Sequence, residues 1–131
     1  MVTSGKLLPD YNAGMTSTDW KTALNEELRR AEAARARGNE GQARVCARRA
    51  AGIAIREYLR RRGTPVSDAS AYRLLTLLRD SPELAPDLRE AAAHLTLRVT
   101  EAFILPVEAD LIAEARKLCA ALLPDWESKA A

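Results

Sequence analysis

Residues 39–63 read NEGQARVCARRAAGIAIREYLRRRG. Small side chains recur in this stretch every three or four residues, the spacing that places them on one side of a helix. This stripe consists of Ala43, Ala47, Ala50, Ala51, Ala54 and Tyr58. Another helix can approach such a surface closely, while the arginines of the stretch line the other faces. The stretch therefore predicts a helix over about 41–62 that packs through its alanine side and carries arginines on its other faces.

Composition indicates one all-α domain. The chain has 131 residues, of which 47% are hydrophobic, which is enough for one compact core and too little for two ordinary domains. Aromatic residues make up only 5%, whereas Ala and Leu recur throughout. That balance suits helix packing better than a sheet of β-branched and aromatic residues.

The segment before this stretch predicts an antiparallel partner helix. Hydroxyl groups at residues 16–18 can cap a helix that carries Trp20 and Leu24 on its apolar side and runs to about Arg37. Gly38 is a natural left-handed stop, and the link from Gly38 to Gly41 is short enough for a helical hairpin. Residues 1–15 have no helical period and are predicted to be a flexible arm.

Three shorter helices are predicted after the hairpin. The third is capped by Ser67 and Asp68 and stops at residues 80–82; leucines almost encircle it, so we expect it to be buried or shared with another subunit. The fourth begins near Pro86 and runs to about Leu105, where Pro106 breaks it. The fifth covers about 107–123. The predicted fold is a four- to five-helix up-and-down bundle over residues 16–124, with a frayed tail at 125–131.

Charge is unevenly distributed along the chain. The net charge is +2, with an excess of positive charge in residues 1–65 and of negative charge in residues 66–131. Either the two halves neutralise each other, or the first forms a basic face for nucleic acid or phosphate. The candidate residues for the second interpretation are Arg44, Arg48, Arg56, Arg60, Arg61 and Arg62. The last three also suit the negative end of a helix dipole, which explains them without any ligand.

Cofactor, metal and membrane motifs are missing from the sequence. Cys46 and Cys119 form no CxxC pair and have no neighbouring histidine, so we expect reduced, buried thiols and no metal site. There is no glycine-rich phosphate loop, and no cofactor is predicted. Without an apolar run of about 18 residues or a signal sequence, the chain is expected to be cytoplasmic and to make no membrane contact.

His94 is the single histidine and the main candidate for acid–base chemistry. Arg98 follows it by one helical turn, and Glu101 by about another. A histidine between a cation and a carboxylate is one arrangement for proton transfer. The alternative is a partly buried helix residue held by local polar neighbours, and we expect this second arrangement.

Taken together, these helices resemble the HEPN family, small helical domains that often pair with a minimal nucleotidyltransferase as toxin and antitoxin. The similarity rests on LNEELRRAEAARARG, on ARVCARRAAGIAIREYLRRRG, on YRLLTLL, on LREAAAHLTLRVTEAF and on EADLIAEARKLCAALL. It covers roughly residues 18–123. In active members, an Arg followed four to six residues later by His forms a metal-independent ribonuclease site across a dimer interface.

The chain departs from that pattern because Arg98 is followed by VTEAFIL, without a histidine. Losing the proton carrier typically lowers such a rate by about 10²–10⁴. We therefore expect a non-catalytic interaction or nucleotide-binding module, with Arg98 in a structural or phosphate-binding role. A homodimer is expected because the third and fifth helices are rich in leucine, and a nucleotidyltransferase is the partner that the resemblance implies.

Two other functions remain open at this stage. One is a divergent ribonuclease toxin that uses Arg98 and His94 in reversed order, for which His94→Ala should abolish RNA cleavage and toxicity. The other is a nucleic-acid-binding protein that uses the arginines of the second helix, with binding that weakens steeply with salt.

Overall fold

The computed structural model describes residues 19–64, 66, 70–97 and 109–126. In this part of the chain every regular element is a helix, as the sequence predicts. The predicted arm at residues 1–15 lies outside the described residues. The five helices are α1 (Asp19–Ala36), α2 (Glu40–Arg61), α3 (Ala71–Arg79), α4 (Pro86–Thr96) and α5 (Leu111–Leu122).

The predicted hairpin of α1 and α2 is confirmed. Helix α2 begins and ends within one residue of the predicted positions. Gly38 has φ 80°, a left-handed conformation that favours glycine, and it ends α1. Asn39 then caps α2 by accepting a hydrogen bond from the amide of Gln42 at 3.1 Å. At the opposite end of the hairpin, Arg61 lies over the ring of Trp20, so the two helices are antiparallel.

Helix α2 occupies the centre of the bundle and contacts each of the other four helices. The five alanines of its stripe are fully buried, as expected, together with Cys46 and Ile55, whereas Tyr58 of the same stripe is only partly buried. Gly52 lies at the contact between α2 and the start of α3. A Cβ atom at this position would lie 2.9 Å from the Cβ of Ala71. The absence of a side chain at Gly52 therefore allows the first residue of α3 to rest on α2.

The predicted cap of α3 is wrong. Ser70 is the capping residue, and its hydroxyl accepts a hydrogen bond from the amide of Arg73 at 3.1 Å. Ser67 and Asp68 precede it and lie outside the described residues. Leu74, Leu75 and Leu78 are buried in the chain's own core, whereas Leu77 is exposed. Burial within a single chain thus explains most of the leucines on α3, without a second subunit.

Helix α4 is shorter than predicted. It begins at Pro86 as expected but ends at Thr96, because Leu97 has an extended backbone with ψ 144°. The guanidinium of Arg48 binds the carbonyls of Leu95 and Leu97, which is a tertiary contact that helical periodicity does not encode. The remainder of the predicted helix lies outside the described residues.

Helix α5 begins at Leu111, after Asp110, whose carboxylate accepts a hydrogen bond from the amide of Ala113. Arg35 at the end of α1 connects this cap to the hairpin: its guanidinium reaches Asp110 at 3.0 Å and Glu40 at 2.7 Å. One arginine therefore fastens together the end of α1 and the starts of α2 and α5.

The first residues of the predicted tail are part of the packed body. Trp126 is buried, and its indole N–H donates to Oδ1 of Asn25 on α1 at 2.9 Å. Asp125 pairs with Arg61 of α2 at 2.8 Å. Residues 127–131 lie outside the described residues. None of the helices that the structure describes is both long and apolar enough to cross a membrane.

Candidate functional site

His94 lies on the last turn of α4, where it faces α5. Its side chain is 23% exposed, and Nδ1 lies 3.0 Å from Oε2 of Glu114. An ionised carboxylate can only accept, so this contact favours the tautomer in which Nδ1 carries the hydrogen and Nε2 is the basic nitrogen. A histidine oriented in this way by a carboxylate could accept a proton at Nε2.

The surroundings of His94 are acidic. Glu90, one turn earlier on α4, is 68% exposed and places Oε2 3.8 Å from Nε2. A further turn away, Asp87 meets Lys117 of α5, again at 3.8 Å. Among the described residues, the carboxylates of Glu90 and Glu114 thus flank the imidazole, and two carboxylates there disfavour a phosphodiester at the ring. Arg98 and Glu101, the other candidates of the predicted acid–base site, lie outside the described residues.

The arginines proposed as a phosphate cluster have separate roles within the bundle. Arg48 binds backbone carbonyls at the end of α4, and Arg56 donates to the carbonyl of Val66 at 3.3 Å. Arg44 lies one turn after Glu40, and its charge adds to the hydrogen bond from Arg35 that lowers the pKa of Glu40.

The three arginines at the end of α2 also contact groups of their own chain. Arg60 and Arg61 both bind the carboxylate of Glu57, at 2.7 Å and 2.8 Å. Glu57 is 7% exposed, and the hydrogen bond from Arg60, followed by that from Arg61, lowers its pKa. Arg62 lies over the ring of Tyr58. Arg60 and Arg61 thus compensate a buried carboxylate, a role that their position in the last turn does not reveal.

Acid should weaken this end of the bundle. The hydrogen bond from Arg61 lowers the pKa of Asp125 to about 2, below its ordinary value of 3.8. A depressed folded-state pKa gives stability that is present above the unfolded pKa and is lost as pH falls through the folded one. Asp125→Asn should lower the melting temperature at pH 7 and flatten its decline between about pH 4 and pH 2. Glu83→Gln is the control, because Glu83 is exposed and has no ion pair with any described residue. Equal pH profiles for wild type and Asp125→Asn in thermal melts would contradict this assignment.

Exposed apolar side chains are the remaining candidate. Over the described part of the chain, the large hydrophobic side chains that remain exposed are Val45 on α2 and Tyr72 and Leu77 on α3. Tyr72 is 46% and Leu77 is 45% exposed. Periodicity identifies α3 as rich in leucine but does not show which leucine stays outside the core, because that depends on how α3 meets α2.

Sequence reasoning missed Glu114, the closest partner of His94. The two residues are 20 positions apart and on different helices, so no spacing rule connects them. Among the described residues, no group of three or more His, Cys, Asp or Glu side chains is arranged to hold a metal ion. No family model, curated protein or solved structure matches this chain.

Proposed function

We propose that this chain is a non-catalytic, HEPN-like helical module that binds another protein chain through the outward face of α3. The observation that supports it is the exposure of Tyr72 and Leu77 on a helix of nine residues whose other leucines are buried. Most large apolar side chains of the described residues lie in the core, so two exposed ones on one short helix are candidates for a protein contact.

The polar features give less support to catalysis or nucleic-acid binding. His94 is held by Glu114 and lies beside the exposed carboxylate of Glu90. The arginines Arg48, Arg60 and Arg61 contact carbonyls or carboxylates of their own chain. An RNA phosphate would have to displace these contacts before it could bind the same guanidinium groups.

A homodimer is the assembly that we propose first. The leucines of α5 are buried within one chain and do not require a partner, so this proposal depends on α3. A nucleotidyltransferase encoded beside this chain is the partner suggested by the family resemblance, and the same face would serve it.

Leu77→Glu should weaken self-association at least about tenfold, because removing one buried leucine from an interface costs more than about 1.4 kcal/mol. Sedimentation velocity over a micromolar concentration series measures this change. Val45→Glu is the control, because it introduces the same charge at an exposed apolar residue that lies on α2 and not on α3. A wild-type monomer throughout the series, or equal effects of the two variants, would refute the dimer through α3.

A further inference from the structure

The outward side of α3 carries one leucine between two opposite charges. Arg73, Leu77 and Asp80 stand at positions i, i+4 and i+7, the spacing that aligns side chains along one side of a helix, and all three are exposed. Asp80 directly follows α3, and its amide still donates to the carbonyl of Thr76 at 3.1 Å, so it keeps the helical register. These three residues, the α3 stripe, are thus positive, apolar and negative in order, over about 10 Å of helix.

The two charges of the α3 stripe differ in the partners that their own chain gives them. The guanidinium of Arg73 has no ion pair or hydrogen bond with any described residue. Asp80 accepts two hydrogen bonds from its neighbour Arg79, at 3.1 Å and 3.3 Å, and its side chain is 63% exposed. Because a carboxylate offers about four lone-pair positions, Asp80 can accept from a second guanidinium as well.

The α3 stripe is complementary to itself only in the antiparallel direction. Two parallel copies would place Arg73 against Arg73 and Asp80 against Asp80, and like charges repel. Two antiparallel copies related by a two-fold axis place each Arg73 against the partner's Asp80 and bring the two Leu77 side chains together beside the axis. Helices that pack with their axes about 8–10 Å apart leave an arginine and a carboxylate within reach of each other.

We infer that two copies of this chain associate through antiparallel α3 helices, with Leu77 at the two-fold axis and an Arg73–Asp80 ion pair on each side of it. The arrangement rests on the proposed function and specifies its geometry, because the occupant of the α3 face is a second copy whose register is set by charge. Each copy contributes one short helix to the contact. The dimer is therefore weak and reversible, and its dissociation constant rises with salt.

Charge reversal in two separate variants tests this arrangement. In the Arg73→Glu homodimer both ion pairs become contacts between carboxylates, and in the Asp80→Arg homodimer both become contacts between guanidinium groups. Each variant alone should dimerise at least about tenfold more weakly than wild type in sedimentation velocity at low salt. An equimolar mixture of the two should recover dimerisation, because in a mixed dimer both contacts again join opposite charges. The double variant should recover it for the same reason.

Arg37→Glu and Glu32→Arg are the matched controls. They make the same charge changes at exposed residues on or next to α1, a helix that does not contact α3. Glu32 pairs with Arg116 in its own chain, just as Asp80 pairs with Arg79, so the loss of an exposed ion pair is also matched. Each control alone, and the mixture of both, should dimerise as wild type does. Circular dichroism checks that all variants keep the helical fold.

A mixture of the two α3 variants that associates as weakly as its components would overturn the inference, and so would wild-type association of either variant alone. If Leu77→Glu still breaks the dimer in that case, the contact through α3 stands and its antiparallel register is wrong. A wild-type chain that is monomeric over the whole concentration series would refute the proposed dimer itself, and the register with it.

Discussion

Gly52→Ala should destabilise the protein by about 2 kcal/mol, although alanine is the better helix former. The new Cβ would stand 2.9 Å from the Cβ and 3.2 Å from the Cα of Ala71. Neither atom can rotate away, because Ala71 is the first residue of α3. The added Cβ must therefore displace α3 from α2. The free-energy cost of this overpacking exceeds the gain of about 1 kcal/mol in helix propensity.

Gly41→Ala is the matched control for this experiment. It makes the same chemical change in the same helix, and the nearest described atom to its Cβ is Oδ1 of Asn39 at 3.9 Å. We expect Gly41→Ala to be neutral or to stabilise by up to about 1 kcal/mol. Urea unfolding followed by circular dichroism measures both variants. Equal midpoints would mean that α3 does not rest on Gly52.

The positions of several helices could be predicted because the signals that set them are local. The alanine stripe of α2, the stop at Gly38 and the proline at the start of α4 each act within one or two turns. These signals specify where a helix begins and which side it buries, and the structure places the ends of α2 within one residue of expectation. The sequence is therefore sufficient to predict which segments are helical and which side of a helix faces the core.

The wrong predictions concern features that depend on contacts between distant residues. The end of α4 at Thr96 involves Arg48, which lies 47 residues from Leu95 in the chain. Likewise, Ser70 caps α3 although Ser67 and Asp68 are equally suitable capping residues. Local propensity permits several boundaries in such places, and packing selects one of them.

The candidate site was less predictable than the fold. His94 attracts attention as the single histidine, but its partner Glu114 comes from another helix and from no recognisable motif. The arginines of α2 look like one basic surface in sequence, yet in the structure Arg48 binds backbone carbonyls, and Arg60 and Arg61 bind carboxylates of their own chain. A side chain's charge is visible in a sequence, whereas the group that compensates it is not.

Trp20→Ala should cost about 4 kcal/mol, the largest loss that we expect from a single substitution. Trp20 is 2% exposed and packs at the start of α1 against the end of α2. Among the described residues its indole nitrogen has no hydrogen-bond partner, so the loss comes from packing and from the contact with Arg61. For a chain of this size that is a large part of a total stability of about 5–15 kcal/mol.

Trp20→Phe separates the contribution of the aromatic ring to stability from that of the indole nitrogen. Phenylalanine keeps an aromatic ring and removes a buried N–H that lacks a partner, so we expect a loss of only about 1 kcal/mol. Urea unfolding can be followed in both variants by the fluorescence of Trp126, which remains and donates to Asn25. A loss for Trp20→Ala as small as that for Trp20→Phe would contradict the packing role. A large loss for Trp20→Ala alone would show that the aromatic ring, and not the indole nitrogen, holds α1 against α2.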